Sequence, residues 1–185
     1  MTAVADAIDR LTAAIGRAAA WCVVFVVVVQ FVVVLLRYAL GIGSVWLTES
    51  IIYAHAALFM LAAAWTLLEN GHVRVDVFYA DASPRRKALV DLLGALLLLL
   101  PFALALAWLS LPYVARSWAI FERSRETSGI PAVFLLKTLI PLFALLMVLQ
   151  GVSQAIRAVA VLRGVPRQKA SRSPSPLAGE GQGRG

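Results

Sequence analysis

The sequence predicts an all-α integral membrane protein with four transmembrane helices and with the N and C termini on the cytoplasmic side. The first observation behind this prediction is a set of four long stretches without formal charge, at residues 18–36, 50–68, 92–115 and 138–156. About 20 helical residues cross the roughly 30 Å hydrocarbon core, where a helix satisfies its own backbone hydrogen bonds. The second observation is a hydrophobic content of 61% with a mean hydropathy of +0.84.

The third observation is the distribution of the 17 lysine and arginine residues. Twelve of them lie before the first span, between spans two and three, or after span four, whereas four lie in the other two loops. Because basic residues accumulate on the cytoplasmic side of a membrane, we expect both ends of the chain inside. The net charge of +7 is therefore interpreted as a topology signal, and no nucleic-acid partner is expected.

The chain divides into a head, a membrane domain and a tail. Residues 1–17 carry apolar side chains at helical spacing among charged ones, which is typical of an amphipathic helix on the membrane surface. Residues 18–162 form the transmembrane domain, and residues 163–185, rich in Pro, Ser, Gly and Arg, are predicted to be a disordered basic tail. The four predicted spans are about 18–38, 46–69, 88–115 and 131–156. The first apolar run is longer than the core of a signal peptide, so we expect it to remain as a span.

Cap and turn residues predict where the spans begin and end. Ser44 is expected to cap the start of span two, and Gly71 is suited to the end of that helix. Ser83 followed by Pro84 has the pattern of an N-cap with proline at the first helical position, which starts the third helix. Pro101 lies in the middle of span three and is expected to bend it.

Two opposite charges are predicted to lie at similar depth in the membrane. Glu49 falls near the start of span two and Lys137 near the start of span four, and both spans enter from the same side. One hypothesis is that the two side chains pair and hold these spans together. The alternatives are that Lys137 extends outward to the interface while Glu49 is solvated in the first turn, or that either residue faces another subunit.

Two polar residues, Gln30 and His55, are predicted near the middle of the membrane. An interhelical hydrogen bond is the simplest interpretation of each. His55 could instead relay protons or ligate haem, but haem ligation by two histidines needs a second intramembrane histidine, and His72 lies outside the spans. His72 and Asp76 likewise supply two possible ligands, which do not make a metal site. We therefore expect no cofactor and no metal.

The sequence does not indicate an enzyme. It contains no G-x-S-x-G nucleophile motif, no H-E-x-x-H zinc motif and no P-loop. Two alternatives from other classes remain: a small membrane enzyme or haem-binding subunit, and a free-standing small transporter. A transporter that works alone usually has paired broken helices at the midplane with a polar cluster, and spans three and four carry prolines without such a cluster.

Four short segments form an ordered series along the spans. They are Gln30 through Arg37-Tyr38 at the end of span one, Trp46-Leu47-Thr48-Glu49 at the start of span two, Gly71-His72-Val73-Arg74-Val75-Asp76 after it, and Gly129-Ile130-Pro131 before span four. In this order the segments resemble the small, Q-type permease subunit of tripartite ATP-independent periplasmic (TRAP) transporters over about residues 15–160. The first segment resembles the family's Q-x-x-x-R-Y ending of span one, although six residues separate Gln30 from Arg37 here.

The resemblance implies a non-enzymatic subunit of the bacterial inner membrane. Such a subunit would scaffold the large permease subunit, which carries substrate and sodium, and would help to dock a periplasmic substrate-binding protein. The transported substrates of these systems are mostly organic acids, and the family's substrate and sodium sites belong to the large subunit. No substrate-binding residue is therefore expected in this chain.

Two groups of residues are the candidates for these roles. The structural and interface candidates are Trp46, Glu49, His55, Gln30, Lys137, Gly71, His72, Arg74 and Asp76. The candidates for docking the binding protein lie in the loop before span four, and are Arg116, Glu122, Arg123, Arg125 and Glu126.

Overall fold

The computed structural model describes residues 2–72 and 82–164, and all regular secondary structure in these residues is helical. Four of its helical segments are long and apolar enough to cross a membrane, which confirms the predicted all-α class and the four spans. The helices are α1 Thr2–Leu40, α2 Val45–Leu68, α3 Pro84–Gly94, α4 Leu100–Ala119 and α5 Val133–Leu162. A π-helical segment, Ala95–Leu99, joins α3 and α4 into a single span, Pro84–Ala119.

Helix α5 lies at the centre of the bundle and packs against α1, α2, α3 and α4, while α1 packs mainly against α2. The core where α2, α4 and α5 meet consists of Ala64, Ala103, Leu146 and Met147. Alanines at the first two positions let the helix backbones approach closely, which is how helices associate where water provides no hydrophobic drive. The fold is therefore organised around one central helix.

The bundle has two ends that differ in composition. One end, here called the loop end, carries loops 41–44 and 120–132. The other, here called the terminal end, carries residues 2 and 164, the end of α2 and the start of α3. The predicted cytoplasmic side corresponds to the terminal end.

Both predicted N-caps are confirmed. The Ser44 hydroxyl accepts a hydrogen bond from the Leu47 backbone N–H at 3.3 Å. The Ser83 hydroxyl accepts one from the Arg86 backbone N–H at 3.4 Å, with Pro84 as the first helical residue. Each cap satisfies a backbone donor that the first turn of a helix leaves without a partner.

The end of α2 lies at the predicted place, but a different residue makes the turn. Asn70 has a φ of 56°, whereas Gly71 is not in the left-handed region. The Asn70 N–H donates to the Leu67 carbonyl at 3.2 Å and the Gly71 N–H to the Thr66 carbonyl at 2.8 Å. These two bonds form a Schellman motif, in which asparagine is the usual substitute for glycine.

The bend expected at Pro101 stays a prediction, and what the structure shows is a π-helical segment directly before this residue. The Leu100 N–H donates to the Ala95 carbonyl, one residue further back than in an α-helix. Proline has no N–H and disturbs the turn before it, so a local widening of the helix is a physical response to Pro101. Gly151 of α5 faces this segment, because a Cβ there would lie 3.0 Å from Leu99 Cδ2.

Helix α1 runs without interruption through the predicted head and the first span, and its 39 residues extend about 58 Å. Its packed face follows a stripe of small and polar residues at helical spacing: Ala5, Asp9, Thr12, Gly16 and Ala19. A Cβ on Gly16 would lie 2.6 Å from Trp65 Cγ of α2, so the two helices touch there. The head is therefore held to the bundle, and contact of its other face with the membrane surface stays a prediction.

Several predictions fall on residues outside the described ranges. Arg74 and Asp76 lie in 73–81, and nearly all of the predicted disordered tail lies in 165–185. The division into head, membrane domain and tail is likewise an expectation.

Candidate functional site

The first polar cluster lies at the loop end, where a glutamate of α2 holds the loop between α4 and α5. Glu49 Oε2 accepts a hydrogen bond from the Ile130 backbone N–H at 2.5 Å. Glu49 Oε1 accepts a second bond from the Ser124 hydroxyl. A carboxylate of one helix therefore receives two donors from opposite strands of loop 120–132.

The loop is closed on itself around this carboxylate. The Ser124 N–H donates to the Ile130 carbonyl at 3.3 Å, and the Glu126 N–H donates to the Ser124 hydroxyl at 3.1 Å. A Cβ on Gly129 would lie 2.7 Å from Glu49 Oε1. A side chain at position 129 would therefore displace Ser124 and the Glu49 carboxylate.

The predicted pair of Glu49 and Lys137 is not formed in the structure. Lys137 Nζ lies 2.5 Å from Glu122 Oε2 and 4.2 Å from the centre of the Tyr113 ring. The prediction was wrong because it considered only charges within spans, whereas loop 120–132 folds back and provides a nearer partner for each residue. The hydrogen bond from Lys137 holds the pKa of the Glu122 carboxyl below its usual range.

Aromatic side chains support the start of this loop. The Trp118 indole N–H donates to the Thr138 hydroxyl at 2.8 Å, and its ring meets Phe134 edge-on at 4.6 Å between centroids. Phe121 also meets Phe134 edge-on, at 5.7 Å. Phe121 has a φ of 44°, a strained conformation for a bulky residue, and the Phe134 contact holds it in place.

The remaining charged residues of the loop region face outward. Arg116, Arg123, Arg125 and Glu126 are all exposed. Among the described residues, none of the three arginines has a carboxylate within ion-pair distance. The segment from Arg116 to Glu126 therefore exposes three cationic side chains and one anionic side chain.

The second polar cluster lies at the terminal end, between α1 and α5. Asp9 Oδ1 accepts hydrogen bonds from the Ser153 hydroxyl at 2.6 Å and from Gln150 Nε2 at 3.2 Å. Arg157 pairs with Asp9 Oδ2 and, at 2.7 Å, with Asp6 Oδ1. Gln150 and Ser153 are fully buried, so this cluster is part of the core.

Sequence reasoning missed this second cluster. The sequence pattern places Asp6 and Asp9 among the charged residues of the predicted surface helix, and it predicts no partner for the polar residues near the end of span four. A signal was present, since Gln150, Ser153 and Arg157 recur at intervals of three and four residues and so share a helix face. An acidic pair at the same spacing on another helix is their natural partner.

Three other predicted site residues lie on the outside of the bundle. Trp46, Gln30 and His55 are exposed, and within the described ranges none of them makes a hydrogen bond. The interhelical bonds expected for Gln30 and His55 are therefore not formed between the helices that the structure describes. His72, next to the end of α2, is exposed as well.

No metal site is apparent in the part of the chain that the structure describes. Within residues 2–72 and 82–164, no group of three or more His, Cys, Asp or Glu side chains could hold a metal ion. The structure therefore has two clusters of polar contacts, one at each end of the bundle, and a wide apolar surface between them.

Comparison with protein families assigns the chain. The family model described as "Tripartite ATP-independent periplasmic transporters, DctQ component" matches residues 10–161. The chain belongs to the DctQ family. Searches of curated proteins and of solved structures gave no match. The matched range of the DctQ model includes both polar clusters apart from Asp6 and Asp9, and it ends at the last turn of α5.

Membership in the DctQ family gives the general role. The protein is a small multi-pass membrane component of a TRAP transporter. DctQ components work in tripartite systems, together with a large permease subunit and a binding protein. The DctQ family is a family of transporter components and not of enzymes.

Proposed function

We propose that this DctQ subunit scaffolds the large permease subunit in the bacterial inner membrane and helps to dock the periplasmic binding protein at its loop end. The transported substrate is an organic acid, carried with sodium through the large subunit. The observation that supports this proposal is the apolar surface that the four spans leave uncovered.

The uncovered surface is largest on α1 and α4. Trp21 and Phe31 of α1 are 74% and 66% exposed, and Trp108 of α4 is 77% exposed. Lipid alone could cover such a surface, because lipid tails are as apolar as these side chains. A subunit that works within a tripartite system needs a lateral contact of this kind, and we assign the large permease subunit to it.

The exposed polar residues of the spans favour a protein neighbour over lipid for part of this surface. Gln30 and His55 are predicted at mid-membrane depth, and each lacks a hydrogen-bond partner in the described part of the chain. A polar side chain that faces only hydrocarbon loses its hydrogen bonds with water, which costs about 2 kcal/mol or more. Polar groups of the large subunit could satisfy both residues.

The distribution of charge supports placing the transport chemistry elsewhere. Glu49 and Lys137, the acidic and the basic residue predicted near the starts of spans two and four, each bind a residue of loop 120–132. Both serve to hold the loop, so neither is free to bind a substrate anion or a sodium ion. The substrate and ion sites are therefore assigned to the large subunit.

Reconstituted transport tests the proposal. Proteoliposomes are prepared with this chain alone, with the large permease subunit alone, and with both, and uptake of the radiolabelled organic acid is measured with the binding protein and a sodium gradient. We expect uptake only when both subunits are present. Uptake by this chain alone would favour the free-standing transporter, and full uptake by the large subunit alone would contradict the scaffold role.

A further inference from the structure

We propose that Glu49 is the positioning residue of a docking surface, and that the surface takes an acidic face of the binding protein. Glu49 holds loop 120–132 so that Arg123 and Arg125 project from the loop end. This inference rests on the proposed docking function and adds to it the residue that orders the surface and the charge of the partner.

The first step is that Glu49 binds two residues of the loop that lie far from it in sequence, Ser124 and Ile130. Its two carboxylate oxygens are divided between the Ser124 hydroxyl and the Ile130 N–H, so they fix the two sides of one turn at once. Hydrogen bonds to a charged acceptor are about twice as strong as those between neutral groups. The absence of a Cβ at Gly129 leaves the space that the carboxylate fills.

The second step is that the start of the loop is held independently. The Val133 N–H donates to the Glu122 carbonyl at 3.0 Å, while the Glu122 side chain pairs with Lys137 at 2.5 Å. With Glu122 anchored on α5 and Ser124 anchored on α2, the residue between them has little conformational freedom. Arg123 is therefore presented from a fixed backbone.

The third step is the alternation of direction along this segment. Glu122 and Ser124 are half-buried, whereas Arg123, Arg125 and Glu126 are exposed. Alternation of this kind sends every second side chain outward while its neighbours are tied down. The inward bond of Ser124 to Glu49 is thus the contact that directs both arginines away from the bundle.

The fourth step is the charge of the exposed surface. Arg116, Arg123 and Arg125 are exposed beside one exposed carboxylate, that of Glu126. The other two carboxylates are half-buried: Glu122 pairs with Lys137 and also interacts electrostatically with Arg125, and Glu49 accepts hydrogen bonds from the loop. Short loops on the non-cytoplasmic side carry few basic residues, so three arginines within ten positions run against the topological bias. Charge of this kind serves recognition, and its complement is an acidic patch on a partner.

The test measures binding of the purified binding protein to the assembled complex of this chain with its large permease subunit. The variants are Arg123→Glu with Arg125→Glu, Glu49→Gln, Glu49→Ala, and a combined variant that carries Glu49→Gln together with both arginine changes. Arg163→Glu is the matched control, because Arg163 is an exposed arginine at the terminal end. Amide hydrogen exchange of residues 122–132 is recorded for each complex.

We expect the double arginine variant to weaken binding by about ten-fold or more and to reduce its dependence on salt, because exposed interface charges steer association. Both Glu49 variants should speed exchange within 122–132 alone and weaken binding by about three- to ten-fold, with assembly unchanged. The combined variant should bind no worse than the double arginine variant, since Glu49 acts only through the arginines. Arg163→Glu should bind like the unmodified protein.

Three outcomes would overturn the inference. Faster loop exchange in Glu49→Gln with unchanged binding would show that loop order does not matter for docking. Additive losses in the combined variant, or loss of assembly in the Glu49 variants, would show a general structural role. Each of these leaves the proposed docking function standing, whereas a binding protein with no affinity for the unmodified complex would remove the docking function and the inference together.

Discussion

At the scale of single residues, the carboxylates Asp9 and Asp6 differ in the number of hydrogen bonds that they accept and in their burial. Asp9 accepts three hydrogen bonds from one face of α5 and is mostly buried, with 13% of its side chain exposed. Asp6 makes one bond to Arg157 and its side chain is 52% exposed. The two residues share a partner and a helix, so they form a matched pair for measurement.

Replacing Asp9 by alanine should lower the free energy of unfolding by about 1–3 kcal/mol, because Gln150 and Arg157 then lose a charged acceptor in a buried site. Asp6→Ala should lower it by less than about 1 kcal/mol, as is usual for an exposed ion pair. Both values can be measured by unfolding in a titration of SDS against mild detergent, followed by tryptophan fluorescence. Equal effects of the two substitutions would contradict the burial argument.

The contact of Glu122 with Lys137 should weaken in acid. Since the folded state lowers the pKa of Glu122, the contact stabilises the loop above the unfolded-state pKa of about 4.3 and loses this contribution as the pH falls through the lower folded-state pKa. The apparent melting temperature of the unmodified protein relative to Glu122→Gln should therefore be constant from pH 8 to about pH 5 and fall below that. A difference that disappears between pH 8 and pH 6 would contradict the assignment.

Residues of this kind also show what sequence could and could not predict. The sequence predicted that Glu49 and Lys137 have structural partners, because an unpaired charge in a membrane is energetically costly. The partners of Glu49 and Lys137 could not be predicted, because they lie in loop 120–132. The path of this loop depends on the contacts that Ser124 and Ile130 make with Glu49. Asp9 was missed because its partners lie more than 140 residues away in the chain.

At the scale of elements, local signals predicted the ends of the helices better than their interiors. Ser44 and Ser83 cap helices as expected, because capping depends on a few neighbouring residues. The π-helical segment before Pro101 packs against α5, and the continuous helix α1 packs against α2 and α5. Periodicity within one segment carries no information about such packing.

The contact between α1 and α2 gives a prediction for an element. Gly16→Ala should destabilise the protein, because the new methyl group would overlap Trp65, and overpacking costs about 1–3 kcal/mol. This exceeds the gain of up to about 1 kcal/mol that alanine brings to a helix. Gly94→Ala is the control, because a Cβ there meets nothing within 4 Å.

The Gly94 variant should be as stable as the unmodified protein or slightly more so. Both variants can be compared by the SDS titration described for Asp9. A Gly16 variant as stable as the Gly94 variant would show that α1 does not approach α2 as closely as the structure indicates.

At the scale of the whole molecule, the four spans form an open bundle around α5. Sequence predicted the number of spans, because each is long and uncharged, and the order of motifs predicted the TRAP family that the DctQ match confirms. It could not predict which faces stay uncovered. In lipid, apolar residues mark both packed and exposed faces, so hydrophobicity does not separate Ala64 in the core from Phe31 outside it.

The uncovered faces predict how Gln30 and His55 behave. Gln30→Leu and His55→Leu should leave the unfolding of the isolated subunit unchanged or slightly strengthen its stability, because neither side chain has a partner in the described part of this chain. Each should weaken assembly with the large subunit by about 3- to 30-fold, from the loss of about 0.6–2 kcal/mol of interhelical bonding. Competition between tagged variant and unmodified subunits for the large subunit measures this loss. If the variants assemble with the large subunit as strongly as the unmodified subunit does, the prediction is wrong and both residues contact lipid.

The most direct test of the account is the composition of the complex in its native membrane. The chain is tagged at its C-terminal end, extracted in mild detergent and purified, and the partners are quantified by mass spectrometry. We expect a large polytopic permease subunit of the TRAP type in a ratio of about one to one. Recovery of the chain alone, or with a haem protein in place of the permease, would contradict its role as the small subunit of a TRAP transporter.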